Sequence, residues 1–354
     1  MHKIDVSLDN NSYGILIKKG MFQSIAKHIS KVDNYSKIFI ISQKSIIDIY
    51  NPHFLLPRDI LCVEENEAGK TLNEANRIIK VLIERGCNRD SLIIGLGGGV
   101  VTDFTGFIAS IFMRGIDHIL IPTSLLAMID ASIGGKTALN TLDSKNTIGT
   151  IKQPKAVYID PLLLKTLSAK EVINGFAEML KYGLINDKSL FDLLIENREN
   201  IIDLKNMDLI ESVIIKCCQN KSRIIEQDQF DLNERLKLNF GHTIGHAIEA
   251  HYNYQSISHG EAVYYGMIAA CYISNKKGYL SDEDFHHICS QIDLIQQYKL
   301  NNVSDEDVFH YIKYDKKNKG NKLQFILLNN IGSAFINDSV TNMEIKESIR
   351  YILK

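Results

Sequence analysis

The sequence predicts an α/β domain followed by a helical one, and three observations carry that prediction. Short Ile-rich apolar runs alternate with amphipathic helical patterns over residues 1–152, the pattern of parallel βαβ units. Helical periodicity dominates from 168 to about 315. Between them the texture changes near 151–161, where Pro154 and Pro161 punctuate the chain. We therefore expect domains at 1–152 and 153–354.

Taken in order, IDVSLDNNSYGILIKKG reads as a hairpin around Asn10-Asn11. The runs KIFIIS, DILCVEE, SLIIGL and HILIPTS read as buried strands. Residues 71–86 read as a helix closed by Gly86 as a C-cap. Helices are expected at 168–183, 188–198, 207–227, 240–251, 260–277, 282–298 and 304–313, with Ser168 and Glu171 as a capping box. KLQFILLNNIGSAFI reads as a small hairpin near the end. No internal repeat or low-complexity tract interrupts this order.

The 354 residues suffice for two domains or one large one. At 45% hydrophobic and 23% charged, the composition is that of an ordinary globular protein. A net charge of −2 points to neither a nucleic-acid nor a membrane partner. No signal peptide and no spanning segment is expected. The six cysteines, at 62, 87, 217, 218, 271 and 289, form no CxxC pair, so free thiols in a reducing compartment are expected. Adjacent Cys217 and Cys218 read as buried small hydrophobes on a helix.

SLIIGLGGGVVTDFTGF sets Gly95, Gly97, Gly98 and Gly99 between a strand and a helix. Consecutive glycines let backbone N–H groups approach an anion, and the helix N-terminus favours negative charge. A pyrophosphate fits such a turn. The spacing is not G-x-G-x-x-G. GGKT at 134–137 ends like a phosphate loop, but Asp130 stands where the first glycine is required, so an ATPase is excluded.

Residues 239–261, NFGHTIGHAIEAHYNYQSISHGE, hold four of the eleven histidines, at 242, 246, 251 and 259. His242 and His246 share a helix face at i, i+4, and Glu249 continues it. A helix–loop–helix return can bring His259 to the same point, and Gly260 permits close approach. GFAEMLKYG adds Glu178 and Lys181 on one face at i, i+3. A His/His/carboxylate set with an open position is a catalytic metal arrangement. Spacing alone leaves open whether His246 or His259 completes it. Arg114, Lys136, Lys145, Lys181, Lys221, Arg235 and Lys316/Lys317 occupy turn-like or Gly-flanked contexts. Beside a metal and a phosphate-binding turn, they suggest a substrate carrying carboxylate and phosphate.

GGGVVTDFTGFIAS, MRG, IPTSLLAMIDASIGGKTALN, KNTIG, GFAEMLKYG, LNFGHTIGHAIE and HGEAV occur in that order. The ordered set, from about residue 64 to 332, closely resembles the 3-dehydroquinate synthases of the sugar-phosphate cyclase group. The resemblance implies a Rossmann-like domain holding NAD and an all-α domain holding a divalent metal, zinc or cobalt. It implies a cytoplasmic homodimer and a carbon–oxygen lyase of the shikimate pathway to chorismate and the aromatic amino acids. The substrate would be 3-deoxy-D-arabino-heptulosonate 7-phosphate and the products 3-dehydroquinate and phosphate. The route would be transient oxidation at carbon 5, phosphate elimination, reduction, ring opening and aldol closure.

Carried over by motif, the metal ligands would be Glu178, His242 and His259, with His246 near the substrate phosphate. NAD would lie against Gly97, Gly98, Gly99, Val100, Val101, Asp103, Thr123 and Ser124, helped by Glu67 and Lys70. Lys136, Lys145 and the turn of Leu164, Lys165, Thr166 and Leu167 would complete its site. Asp130, Lys136, Lys181, Lys221 and His246 would act on the substrate, bound also by Asn146, Arg235, Asn239 and Lys316. Arg114 would reach in from the neighbouring subunit. Two departures stand out: Thr102 where the family usually has glycine, and Gln43 where an acidic residue often meets the adenosine ribose. The competing readings are a metal-dependent polyol dehydrogenase that releases NADH, a cyclase for another sugar phosphate, and a metal-stabilised binding protein. The clustered cations argue against the first.

Overall fold

A computed structural model of the chain describes residues 1–25, 34–51, 59–141, 144–319 and 323–354, the side chains of 313–319 excepted. Two units result. One joins Met1–Ser168 to Leu204–Phe230, and the other joins Ala169–Asp203 to Asp231–Lys354.

In the first unit, β1 (His2–Val6) and β2 (Tyr13–Ile17) form the antiparallel N-terminal hairpin. β3 (Ile38–Gln43), β4 (Asp59–Val63), β5 (Leu92–Gly97) and β6 (Asp117–Pro122) are parallel. β7 (Lys136–Leu139) and β8 (Ile148–Ile151) make a separate hairpin, and β9 (Ala156–Ile159) returns to the main sheet. The sheet order is β1-β2-β9-β6-β5-β3-β4. Every residue of β3 and β5 is buried, as continuous apolar runs covered on both faces must be.

Helix α1 (Lys44–Tyr50) joins β3 to β4, α2 (Leu72–Glu84) joins β4 to β5, and α3 (Gly99–Ile111) joins β5 to β6. α2 starts where the Thr71 side chain accepts from the Glu74 N–H and stops before Gly86 at φ +69°. Its Ala75, Ile78 and Leu82 stripe packs on Phe39, Ile41, Ile93, Phe104 and Ile108. Truncating Ile78, which has no exposed surface, would cost about 2 to 5 kcal/mol. From β3 the chain steps outward to β4, then re-enters on the other side of β3 at β5. Strand order thus reverses between β3 and β5, and in open α/β sheets ligands bind beyond the strand ends at such a point.

The second unit contains α4 (Ala169–Asn186), α5 (Lys188–Glu196) and α6 (Arg198–Ile202). Helix α7 (Met207–Gln227) belongs to the first unit. The second resumes with α8 (His242–His251), α9 (His259–Lys276), α10 (Asp282–Asp293) and α11 (Asp305–Lys319). A hairpin of β10 (Phe325–Asn330) and β11 (Ser333–Asn337) and helix α12 (Asn342–Ile352) complete it. Its core gathers Ile244, Ile248, Ala262, Ile273, Phe309, Leu327 and Ile349.

Two features differ from expectation. The sheet unit does not stop at 152: β9 follows Pro154 and pairs with β2 and β6. Its four residues between two prolines are too short a run to show periodicity. The unit also claims α7, whose amphipathic pattern is no different from those of the other helices. The second unit is otherwise helical, and it carries the β10–β11 hairpin expected from KLQFILLNNIGSAFI. Cys87, Cys217, Cys218, Cys271 and Cys289 are buried and free, as expected of reduced core thiols. Among the described residues no helix is long and apolar enough to cross a membrane.

Candidate functional site

The glycine turn ends β5 and opens α3, with Gly98 as N-cap. A Cβ on Gly97 would lie 2.5 Å from the Val101 side chain, so glycine is required there by packing. At Gly98 and Gly99 the nearest atoms, on Ser124 and Ala131, would be 3.4 and 3.6 Å away. Those two positions stay bare without being crowded, which suits a cradle for a phosphate group. Thr123 donates its N–H to the Gly97 carbonyl (2.9 Å), tying the ends of β5 and β6 together. Thr102, in the usual glycine's place, turns its hydroxyl back to the Gly99 carbonyl (2.9 Å), and its side chain leaves the turn clear. Gln43, at the end of β3, donates to the Glu64 carbonyl (3.1 Å).

Beside the turn lies a polar knot built around a buried lysine. Lys70, 3% exposed, donates to Asp103 Oδ2 (2.7 Å) and Asn146 Oδ1 (2.6 Å). Burial raises the pKa of Asp103, and Lys70 opposes that rise. Asn140 holds the rest: its side chain donates to Glu67 (2.6 Å) and accepts from the Asn146 N–H (3.0 Å). Its own N–H donates to the Lys70 carbonyl (2.7 Å). Glu67, Lys70, Asp103 and Asn146, which lie in three separate stretches of sequence, are therefore one network, centred on Asn140. Its only signal was its place at the end of GGKTALN.

Elsewhere in this unit, Lys221 of α7 donates to both the carbonyl and the carboxylate of Asp130 (2.6 Å each). Asp130 sits in the π-helical turn Ala127–Ala131. Val100 is half-buried, while the Val101 and Leu164 side chains are wholly enclosed and contribute packing. Lys165, Thr166 and Leu167 close the turn after Pro161, where the Tyr50 hydroxyl donates to the Leu163 carbonyl (2.7 Å). Lys136 and Arg114 are exposed and Lys145 is half-exposed, and Arg114 adopts φ +68°.

In the second unit, α8 and α9 cross at their glycines. A Cβ on Gly266 would fall 1.8 Å from the Gly241 carbonyl oxygen. This contact and the Ser258/Glu261 capping box at the start of α9 set His259 opposite His242. Gly260 packs against α4, where a Cβ would lie 2.5 Å from the Asn174 carbonyl oxygen. The Asn174 side chain also accepts the Gly260 N–H (2.6 Å). Asn174, another residue not anticipated, docks α9 on the helix that carries Glu178.

The result is a convergent donor set. Glu178 is wholly buried, and its Oε1 lies 3.5 Å from His242 Nε2 and 3.4 Å from His259 Nε2. The ligand atoms of these three residues lie within 4.8 Å of one another. One acidic oxygen and two imidazole nitrogens at this spacing fit a divalent ion and leave a position open. Glu178 also pairs with Lys181, 2% exposed, at i+3. His242 Nδ1 is held by the Phe240 carbonyl (3.0 Å), and burial together with the Lys181 charge pushes its pKa down to about 3. Burial works against protonating His259 too, but Glu178 and Glu249 outweigh it and lift its pKa to about 10.

The four histidines separate by role. His246 stands at the edge, 58% exposed, its ring 5.2 Å from that of His242 and 5.9 Å from that of His259. His251 points elsewhere, toward the Asn302 carbonyl (3.2 Å). Arg235 is buried and Asn239 half-buried in the turn Glu234–Asn239 ahead of α8. The Lys316 side chain lies outside the described residues.

The 3-dehydroquinate synthase N-terminal family matches residues 60–174, and the corresponding C-terminal family matches 175–318. The 3-dehydroquinate synthase of Thermoanaerobacter pseudethanolicus is 40% identical over 365 aligned positions, covering 100% of both chains. That of Alkaliphilus metalliredigens is 40% identical over 340, covering 92% of each. Among solved structures, 2-deoxy-scyllo-inosose synthase complexed with carbaglucose-6-phosphate, NAD+ and Co2+ superposes with a TM-score of 0.88 at 26% identity, covering 99% of each chain. With its strand-to-helix glycine turn, its Glu/His/His cluster and these matches along nearly its whole length, the chain belongs to the 3-dehydroquinate synthase family.

Proposed function

We propose that the chain converts 3-deoxy-D-arabino-heptulosonate 7-phosphate to 3-dehydroquinate and phosphate, with NAD and a divalent metal, zinc or cobalt. The observation that carries this reading is the convergence of Glu178, His242 and His259, with Lys181 on the same face of α4. NAD+ and Co2+ in the related inosose synthase support the same pair of cofactors here.

We assign NAD to the sheet unit, at the Gly97–Gly99 turn and the Glu67, Lys70, Asp103 and Asn140 network. Metal and substrate anions are assigned to the helical unit. Bound metal supplies a Lewis acid for the alcohol to be oxidised, and bound NAD supplies the hydride acceptor. The chain's own part is binding and orientation. The bare amides of Gly98 and Gly99 receive the pyrophosphate. Lys181, Arg235, Asn239 and His246 hold substrate oxygens. Lys221, fixed by Asp130, places an ammonium with little freedom left to lose. Clustered cations offset the charge that builds as phosphate leaves. Arg114, exposed on a left-handed turn, is assigned to the neighbouring subunit of a homodimer in the cytoplasm.

The test is phosphate release from the heptulosonate phosphate with added metal and a catalytic amount of NAD. The reading expects many turnovers per NAD, no net absorbance at 340 nm, and loss of activity with chelator. NADH accumulating in step with product would instead establish a dehydrogenase.

A further inference from the structure

Glu249 is a buried carboxylate, 4% exposed, with no part in the function proposed above. It lies near the end of α8, seven residues after His242. The chain then turns back through Asn253 and Tyr254, both at positive φ, and the Tyr254 N–H closes on the Glu249 carbonyl (2.8 Å). This return delivers His259 to the start of α9. There His259 Nδ1 meets Glu249 Oε2 at 3.1 Å, while Nε2 faces Glu178 at 3.4 Å. The Nε2 of His246 is 4.0 Å from the same Glu249 oxygen, beyond hydrogen-bond range, so the carboxylate's hold is on His259.

We infer that Glu249 is a positioning residue for the metal centre: by accepting the Nδ1–H of His259 it fixes that tautomer and aims the Nε2 lone pair at the point shared with Glu178 and His242. A neutral imidazole has one donor nitrogen and one acceptor, and the partner of the first decides which is free to bind a cation. A carboxylate also makes the ring a stronger donor to the ion than a carbonyl does. The two histidines are thus held differently: His242 by the Phe240 carbonyl within its own turn, His259 by a charge ten residues away across a loop. His259, on the loop return, depends more on its anchor.

The inference rests on the ligand assignment above, and the experiment separates the two. Cobalt affinity of the full-length protein is measured by chelator competition for the parent, Glu249→Ala, Glu249→Gln, Glu178→Gln, His259→Gln and the His259→Gln/Glu249→Ala pair. Glu249→Ala is expected to weaken binding about 10- to 100-fold. Glu249→Gln, which keeps a neutral acceptor, should lose less. In the His259→Gln background, Glu249→Ala should change nothing further. Additive losses would make Glu249 a purely structural residue and overturn the inference. If Glu178→Gln and His259→Gln bind cobalt like the parent, the ligand assignment itself has failed. If only the Glu249 variants bind normally, this inference alone has failed. Should Glu249→Ala not fold, 15N–1H spectra of the zinc-loaded parent decide: His259 must carry its proton on Nδ1, and a proton on Nε2 would overturn the proposal.

Discussion

The glycine turn of the sheet unit and the histidine cluster of the helical unit are sites built from opposite materials. The turn works by omission. Gly98 and Gly99 present backbone amides because no side chain stands in the way, and the nearest atoms to a hypothetical Cβ are at ordinary contact distance. The cluster works by supply, bringing a wholly buried carboxylate and two imidazoles to one point. A site made of backbone should tolerate changes of charge around it and fail on added bulk. A site made of side chains should fail on loss of a single donor atom.

The sharpest way to break that contrast is His259→Ala. Metal content, read by mass spectrometry, should fall to background, and turnover should fall by more than about a hundredfold, beyond the loss expected for an outer partner. NAD affinity, read by fluorescence titration, should be unchanged, because the turn lies in the other unit. Retained metal would sink the assignment of the third ligand.

Lys221→Met probes a residue of the sheet unit that belongs to neither material. Its ammonium is nearly buried, with side-chain exposure of 6%, and Asp130 is its counterion. Turnover should drop steeply while metal and NAD remain bound. Stability should fall by about 1 to 3 kcal/mol, because a charged hydrogen-bond partner is lost. A variant with parental turnover would show that this lysine is only structural.

Smaller effects should divide the glycines among themselves. Gly98→Val should weaken NAD binding at least about tenfold, or roughly 1.4 kcal/mol, with the fold intact. Gly97→Ala should do the reverse. Its new Cβ would meet Val101, whose branched side chain cannot swing away, and about 1 to 3 kcal/mol of stability should go. If both variants lose stability alike, the turn is a packing device and the cradle reading is wrong.

The same contrast explains what was legible in the sequence. Strand-length apolar runs and the Gly97–Gly99 turn were readable because local chemistry dictates them. The histidine pair was readable because i, i+4 spacing is a helix property. Choosing between His246 and His259 needed more than spacing, since the choice depends on how α8 and α9 cross at Gly241 and Gly266. Asn140, Asn174 and the hold of Glu249 on His259 were opaque for a related reason. Each acts on residues brought near by tertiary packing, and a lone Asn or Glu on a loop or helix looks like solvated surface. The strand β9 and the transfer of α7 to the sheet unit show the same limit at the scale of whole elements: a periodic pattern says that a face is buried, and not against what.

The last test concerns a group that serves neither site. His118, at the start of β6, is 1% exposed, and among the described residues neither ring nitrogen has a hydrogen-bond partner. Burial, then the nearby Lys152 charge, pushes its pKa from 6.5 to about 3. The sign follows from proton counting. Below about pH 6.5 the unfolded chain takes up a proton at this ring and the folded chain does not, so stability is full above that pH and declines toward pH 3. The slope from this one ring is about 1.4 kcal/mol per pH unit. His118→Leu removes the group and two unpartnered polar atoms with it. Urea unfolding at a series of pH values from 7 to 4 should show the variant gaining on the parent as pH falls, whatever their order at pH 7. Parallel curves would mean that the ring finds a proton partner in the folded chain, and that the sheet beneath the glycine turn is more polar than its packing indicates.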